Sequence, residues 1–165
     1  VPAAVDTNVL LPVIRGNEGS AVVLVPFLDR FIQSLGLVIS APVYAELLAA
    51  PGMDVDTLDR FLSAGAIVVD WDLGREIWLR SATAYRDYAR RRQASGGGWP
   101  RRILADFVID AHAELHADFL LTYNNDDFER MFPALQVVVP PAPAPSVRPA
   151  TEPEDPSAIA EGGSL

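Results

Sequence analysis

The feature that most constrains this chain is a regular alternation of short apolar runs with segments of helical length. The runs are Ala3-Ala4-Val5, Leu37-Val38-Ile39, Ala66-Ile67-Val68-Val69, Phe119-Leu120-Leu121 and Val137-Val138-Val139. None alternates apolar with polar residues, so they read as five strands buried on both faces. Between them, amphipathic stretches at residues 21–34, 42–49, 55–63, 75–92 and 103–116 read as helices. Pro42 falls in the first turn after Ser40, and Asp54 or Asp56 stands where the next helix needs a cap, so the start signals agree with the periodicity. Strands alternating with helices predict an α/β fold, a three-layer α/β/α sandwich around a five-stranded, mostly parallel sheet. In such a sheet ligands bind beyond the carboxyl ends of the strands, where the strand order reverses.

Half of the 165 residues are hydrophobic, enough for one cored domain, which we place at residues 1–140. Residues 141–165 are Pro-rich and then acidic, a composition that buries too little apolar surface to offset its ordering entropy, and they read as a disordered tail. The longest apolar run, Ala21 to Leu28, is far short of the roughly 20 residues that cross a bilayer, and no charged-then-apolar leader opens the chain. A cytoplasmic protein without a membrane partner is expected. With no cysteine, any metal is expected on oxygen ligands. The two histidines, His112 and His116, stand i, i+4 on one helix without an evident third ligand and read as structural.

The net charge of −9 excludes passive wrapping of a polyanion, so any nucleic-acid contact needs a local cause. The one concentrated basic stretch is Arg90-Arg91-Arg92, followed after Gly96-Gly97-Gly98 by Arg101-Arg102. It reads as a phosphate clamp, with Trp99 as a stacking platform for an unpaired base, or more plainly as charge that complements a helix C-terminus. Trp78, Tyr85 and Tyr88 fall at helical spacing and read as core or dimer contacts.

Several acids follow the strands. Asp6 directly follows the first, Glu46 lies in the helix after the second, Asp106 opens the helix before the fourth, and Asp126-Asp127 follow the fourth. Each has an ordinary reading: Asp6 and Asp106 as helix caps, Asp126 and Asp127 as turn acids, Glu46 as a solvated helical residue. Their common placement argues for more. Carboxylates about 5 Å apart repel by roughly 3 kcal/mol per pair at an effective dielectric near 20, so their convergence calls for a cation, and an all-oxygen set selects Mg²⁺ or Mn²⁺.

The blocks Val5-Asp6-Thr7-Asn8-Val9-Leu10, Ser40-Ala41-Pro42-Val43-Tyr44-Ala45-Glu46, Arg102-Ile103-Leu104-Ala105-Asp106-Phe107-Val108-Ile109 and Leu121-Thr122-Tyr123-Asn124-Asn125-Asp126-Asp127-Phe128 together resemble PIN-domain toxins of VapC type, over about residues 1–140. The resemblance implies a metal-dependent endoribonuclease with Asp6, Glu46, Asp106 and Asp127 as its metal and catalytic acids, supported by Asn8, Thr122 and Asn124. It also implies an RNA substrate, a cognate antitoxin and a homodimer. Two departures stand out. Asn124 occupies a position where many relatives carry an acid, which moves the fourth acidic function to Asp127 and keeps a catalytically silent RNA- or protein-binding module as the alternative. Asp110 lies one turn from Asp106 where relatives usually have a small residue, and it reads as a surface acid or one supporting the ligands from behind.

Overall fold

A computed structural model describes residues 1–96, 103–124 and 128–142. The elements are β1 (Ala3–Val5), α1 (Thr7–Ile14), α2 (Glu18–Ser34), β2 (Leu37–Ser40), α3 (Ala41–Leu48), α4 (Val55–Ala64), β3 (Ile67–Asp70), α5 (Arg75–Ala94), α6 (Leu104–His116), β4 (Phe119–Leu121), α7 (Phe128–Met131) and β5 (Val137–Val138). All five anticipated strands are present. The sheet order is β3-β2-β1-β4-β5 and every pairing is parallel.

The strand residues divide by parity between two apolar layers. Ala3, Val5, Leu37, Ile39, Ile67 and Leu121 join Val9, Leu10, Leu24, Leu28, Leu47 and Leu58 from α1 to α4. Ala4, Val38 and Leu120 face Ile77, Ala84, Tyr88, Phe107, Val108 and Ala111 from α5 and α6. This is the three-layer sandwich, and it explains why the central strands carry no polar alternation: both of their faces are covered, while at the edge strand β3 Val68 stays 64% exposed. No helix among the described residues is long and apolar enough to cross a membrane.

Three local differences from the sequence reading have physical causes. Helix α1 enters the sequence reading only through Asp6 as a cap and receives no bounds there, because it is short and contains Pro12, which removes an internal hydrogen bond; burial of Val9 and Leu10 holds it in place. Strand β3 begins at Ile67 rather than Ala66, because Ala66 takes the left-handed conformation (φ 48°) that reverses the chain out of α4. Helix α2 begins three residues before the expected Ala21, at Glu18, where the Asn17 side chain accepts the Ser20 N–H at 3.0 Å. Of the two alternatives for α4, Asp54 is the cap, accepting the Thr57 N–H at 2.7 Å.

The α5–α6–α7 layer is tied by one arginine. Arg80 pairs with Glu114 of α6, donates to the Met131 carbonyl, and lies 4.4 Å over the Phe132 ring. Phe132 is fully buried and packs on Phe107, whose ring meets Tyr85 and Tyr88. Tyr85 and Tyr88 are therefore packing residues as anticipated, whereas Trp78 is 47% exposed and is not core. Phe132→Ala is expected to lower unfolding free energy by about 3–5 kcal/mol in urea denaturation, against about 0.5 kcal/mol or less for Val22→Ala on an exposed turn of α2.

Candidate active site

The chain runs β1 to β2 to β3 in one direction across the sheet and then returns to place β4 on the other side of β1. The order therefore reverses between β1 and β4, and the crevice beyond their carboxyl ends is the ligand position of this architecture. Asp6 and Thr122 are the residues that leave those two strands, and the Asp6 N–H is bonded to the Leu121 carbonyl at 3.0 Å.

Asp6 stands at the N-cap position of α1 but its carboxylate does not cap the helix. One oxygen, Oδ2, instead accepts from Asn8 Nδ2 at 2.7 Å and from the Thr122 hydroxyl at 2.6 Å. Asn8 Nδ2 also donates to Thr122 Oγ1 at 3.0 Å, and Asn8 Oδ1 accepts the Tyr123 N–H at 3.0 Å. Thr122 Oγ1 receives a further bond from the Asn124 N–H at 3.0 Å. The Thr122 hydroxyl thus makes one donated and two accepted bonds, its full complement, while entirely buried. Asn124 enters through its backbone, so a neutral side chain at that position leaves this network whole.

Glu46 is half-buried on α3, not a solvated helical acid. Its carboxylate accepts a short hydrogen bond from the Thr7 hydroxyl at the start of α1. Burial pushes the Glu46 pKa above its ordinary value; the Thr7 bond lowers it in part, and the negative charges of Asp6 and Asp106 raise it again. Those two charges bear on Glu46 because three elements distant in sequence bring their acids together. Asp106 is the third residue of α6 and accepts the Ile103 N–H at 2.9 Å, so it is also a cap, as one of its ordinary readings held. Thr7 was missed in the sequence, although its place beside Asp6 at a helix start was the available signal.

Asp110 is 3% exposed and so is not a surface acid. Arg90 and Arg91 are exposed near the end of α5 and Arg92 is half-buried there, with Arg91 and Arg92 in the last turn, where they complement the helix dipole. Asp126, Asp127, Trp99, Arg101 and Arg102 lie outside the described residues, as do residues 143–165 of the tail. Of the tail's first residues, Pro141 accepts the Tyr123 hydroxyl at 3.0 Å. The donor set of Asp6, Glu46 and Asp106 suits a hard divalent cation, since three mutually repelling oxygen ligands without sulfur or imidazole are what such an ion neutralises. The hydrogen-bond network generates a direct test: Thr122→Val removes a buried donor to Asp6 and strips acceptors from Asn8 Nδ2 and the Asn124 N–H, so urea denaturation should show a loss of about 1–3 kcal/mol, whereas Thr122→Ser should retain most stability.

Solved structures share this fold at low identity. VapBC2 from Rickettsia felis, bound to a DNA fragment from its promoter, matches at 21% identity and a TM-score of 0.59, over 86% of this chain and 100% of that one. VapBC-1 from nontypeable Haemophilus influenzae matches at 21% identity and a TM-score of 0.58, over 84% and 98%. FitAcB from Neisseria gonorrhoeae matches at 23% identity and a TM-score of 0.51, over 82% and 95%. No curated protein matches the sequence. The PIN domain profile matches residues 3–132, a span that includes every strand of the sheet except β5 and all three acids of the crevice, and the chain therefore belongs to the PIN domain family.

Proposed function

We propose that this protein is a Mg²⁺- or Mn²⁺-dependent endoribonuclease and the toxin of a toxin–antitoxin pair. The observation that carries the reading is the placement of Asp6 at the switch point of the sheet, held there by Asn8 and Thr122, with Glu46 half-buried on α3 near the charges of Asp6 and Asp106. Asp6, Glu46 and Asp106 would hold the cation, with Asp127 assigned the fourth place from its position after Asn124. When bound, the ion supplies a lowered water pKa and neutralises charge on the phosphoryl oxygens.

The chain's own groups do the positioning. Asn8 and Thr122 occupy one oxygen of Asp6 and hold its carboxylate in place from β4. Glu46, with Thr7 fixing one oxygen, is the group to orient or deprotonate the attacking water. In-line attack on phosphorus with departure of the 3′ oxygen leaves 5′-phosphate and 3′-hydroxyl ends. Arg90, Arg91, Arg92, Arg101 and Arg102 are assigned to the RNA backbone, the local positive charge that an acidic domain needs.

Among the structural neighbours are proteins described as VapBC and as a toxin–antitoxin complex, which supports an antitoxin for this chain as well. The acids of the crevice suit an Arg or Lys from such a partner, since a guanidinium fork bridges two carboxylates and does not lose its charge. A homodimer, which the resemblance to VapC-type toxins implies, and a cytoplasmic place complete the proposal. The second reading, a silent RNA- or protein-binding module, is favoured by one observation, the amide of Asn124 where many relatives are acidic. Incubation with a mixed RNA pool, with and without EDTA, followed by mapping of the ends, separates the two: the nuclease cuts only with metal, and the silent module binds without cutting.

Asp6→Asn and Asp106→Asn are each expected to abolish cleavage while the domain still melts cooperatively, and Asp127→Ala to cost more activity than Asp126→Ala or Asp110→Ala. Full activity in either Asn variant would remove the site. A pH series tests the electrostatics. Because the native pKa of Glu46 lies above its ordinary 4.5, the folded state binds that proton more tightly than the unfolded state. Stability is then highest below the ordinary pKa and falls as pH rises through the native value. In EDTA, Glu46→Gln should flatten that fall in melting temperature, and an unchanged slope would show that burial and the neighbouring acids do not raise the Glu46 pKa.

A further inference from the structure

The two histidines of the chain, which the sequence left without a third ligand, acquire one in the fold. His112 and His116 are one turn apart on α6, with ring centroids 5.5 Å apart. The last residue of β3 comes between them: Asp70 Oδ2 lies 3.1 Å from His112 Nε2 and 3.2 Å from His116 Nδ1. The three ligand atoms fall within 4.8 Å of one another. We propose that Asp70, His112 and His116 form a second metal site, distinct from the crevice acids, that takes Zn²⁺ or a similar borderline divalent cation and clips β3 to α6.

The donor chemistry separates this site from the first. Asp6, Glu46 and Asp106 offer oxygen alone and suit a hard ion, whereas two imidazoles and one carboxylate are a zinc-type set. The spacing is right for it. Bonds of about 2.0–2.1 Å in a tetrahedron place ligand atoms roughly 3.3 Å apart, so the two Asp70–imidazole separations of 3.1 and 3.2 Å already match, and His116, the more exposed of the two histidines, is the one to adjust on binding. Exposure is graded as an entry path requires: the His112 side chain is 1% exposed, while those of Asp70 and His116 are 27% and 35% exposed.

Two further observations point the same way. His116 Nε2, the nitrogen turned away from Asp70, lies 3.7 Å from Glu76 Oε1, an ion-pair distance longer than a hydrogen bond, so a carboxylate stands near the outer side of that imidazole. On the neighbouring strand Ser40 is the register partner of Asp70, so the two side chains share a face of the sheet. Its hydroxyl is buried and has no hydrogen-bond partner, the one such side-chain atom among the described residues, while the other Asp70 oxygen, Oδ1, accepts the Asp72 N–H at 3.1 Å, which holds the carboxylate from its far side.

The test uses the full chain, stripped with EDTA, dialysed, and held in excess Mg²⁺ so that the crevice acids do not compete. Zinc titration by calorimetry is expected to show one equivalent bound, and at 100-fold excess over Kd the melting temperature should rise by roughly 5–10 °C. Since the chain has only two histidines, imidazole NMR reads the site directly: both sets of signals should move together with Zn²⁺ and stay unmoved by Mg²⁺. His116→Gln and Asp70→Asn should each abolish the zinc-dependent rise, and Asp6→Asn should keep it. Unmoved imidazole signals in the unsubstituted protein would overturn the proposal, even where a variant fails to fold. A rise that survives both substitutions, or one lost in Asp6→Asn, would overturn it equally.

Discussion

The rest of the site depends on how Asp6 is held. A carboxylate at the end of a short central strand would ordinarily turn back to cap the helix that follows it. Here Asn8 and Thr122 claim one of its oxygens, and both are hydrogen-bonded to each other and to the chain leaving β4. The bond pattern spans the point where the strand order reverses, so it joins the two halves of the sheet and aims an acid at the gap between them. Because Thr122 is buried with its hydrogen-bonding capacity filled, the arrangement has little freedom to relax.

Around that fixed point the electrostatics are unfavourable by construction. Glu46 comes from α3 and Asp106 from the first turn of α6, and each brings a negative charge toward a partly buried place. Packing supplies what repulsion takes away. Val43 and Leu47 anchor α3 in one apolar layer, while Phe107 and Val108 anchor α6 mainly in the other. The acids are therefore carried by two helices whose positions are set by burial on opposite faces of the sheet. The geometry of the three acids is thus set by packing on both sides of the sheet and does not depend on attraction among the acids themselves.

How much of this could be read from the residues follows from which interactions are local. The strands were legible because burial on both faces leaves an unbroken apolar run, and α4, α5 and α6 because their apolar stripes repeat with the helical period. Helix α1 was legible only as the segment that Asp6 would cap, since eight residues around Pro12 form a helix only because Val9 and Leu10 are buried by the rest of the domain. Ala66 likewise reads as part of a strand, and only the need to turn out of α4 puts it at positive φ. Asp110 looks like a surface acid because a helical Asp usually is one, and its burial is a property of where α6 packs.

The chain's own order of residues determined the alternating strand and helix plan, the parallel sheet, the resemblance to PIN domains and the identity of the acids that follow β1 and β2 or begin α6. Those are consequences of short-range periodicity and of motif spacing, which survive without knowledge of any distant contact. Tertiary structure alone decided which groups meet. Thr7 reaches Glu46 across 39 residues, Thr122 reaches Asp6 across 116, and Asp70 reaches His112 and His116 across 42 and 46. Such pairs have no signature in sequence, because a hydrogen bond between distant residues depends on the layer packing that folds the chain back on itself, and that packing is a sum over many small apolar contacts.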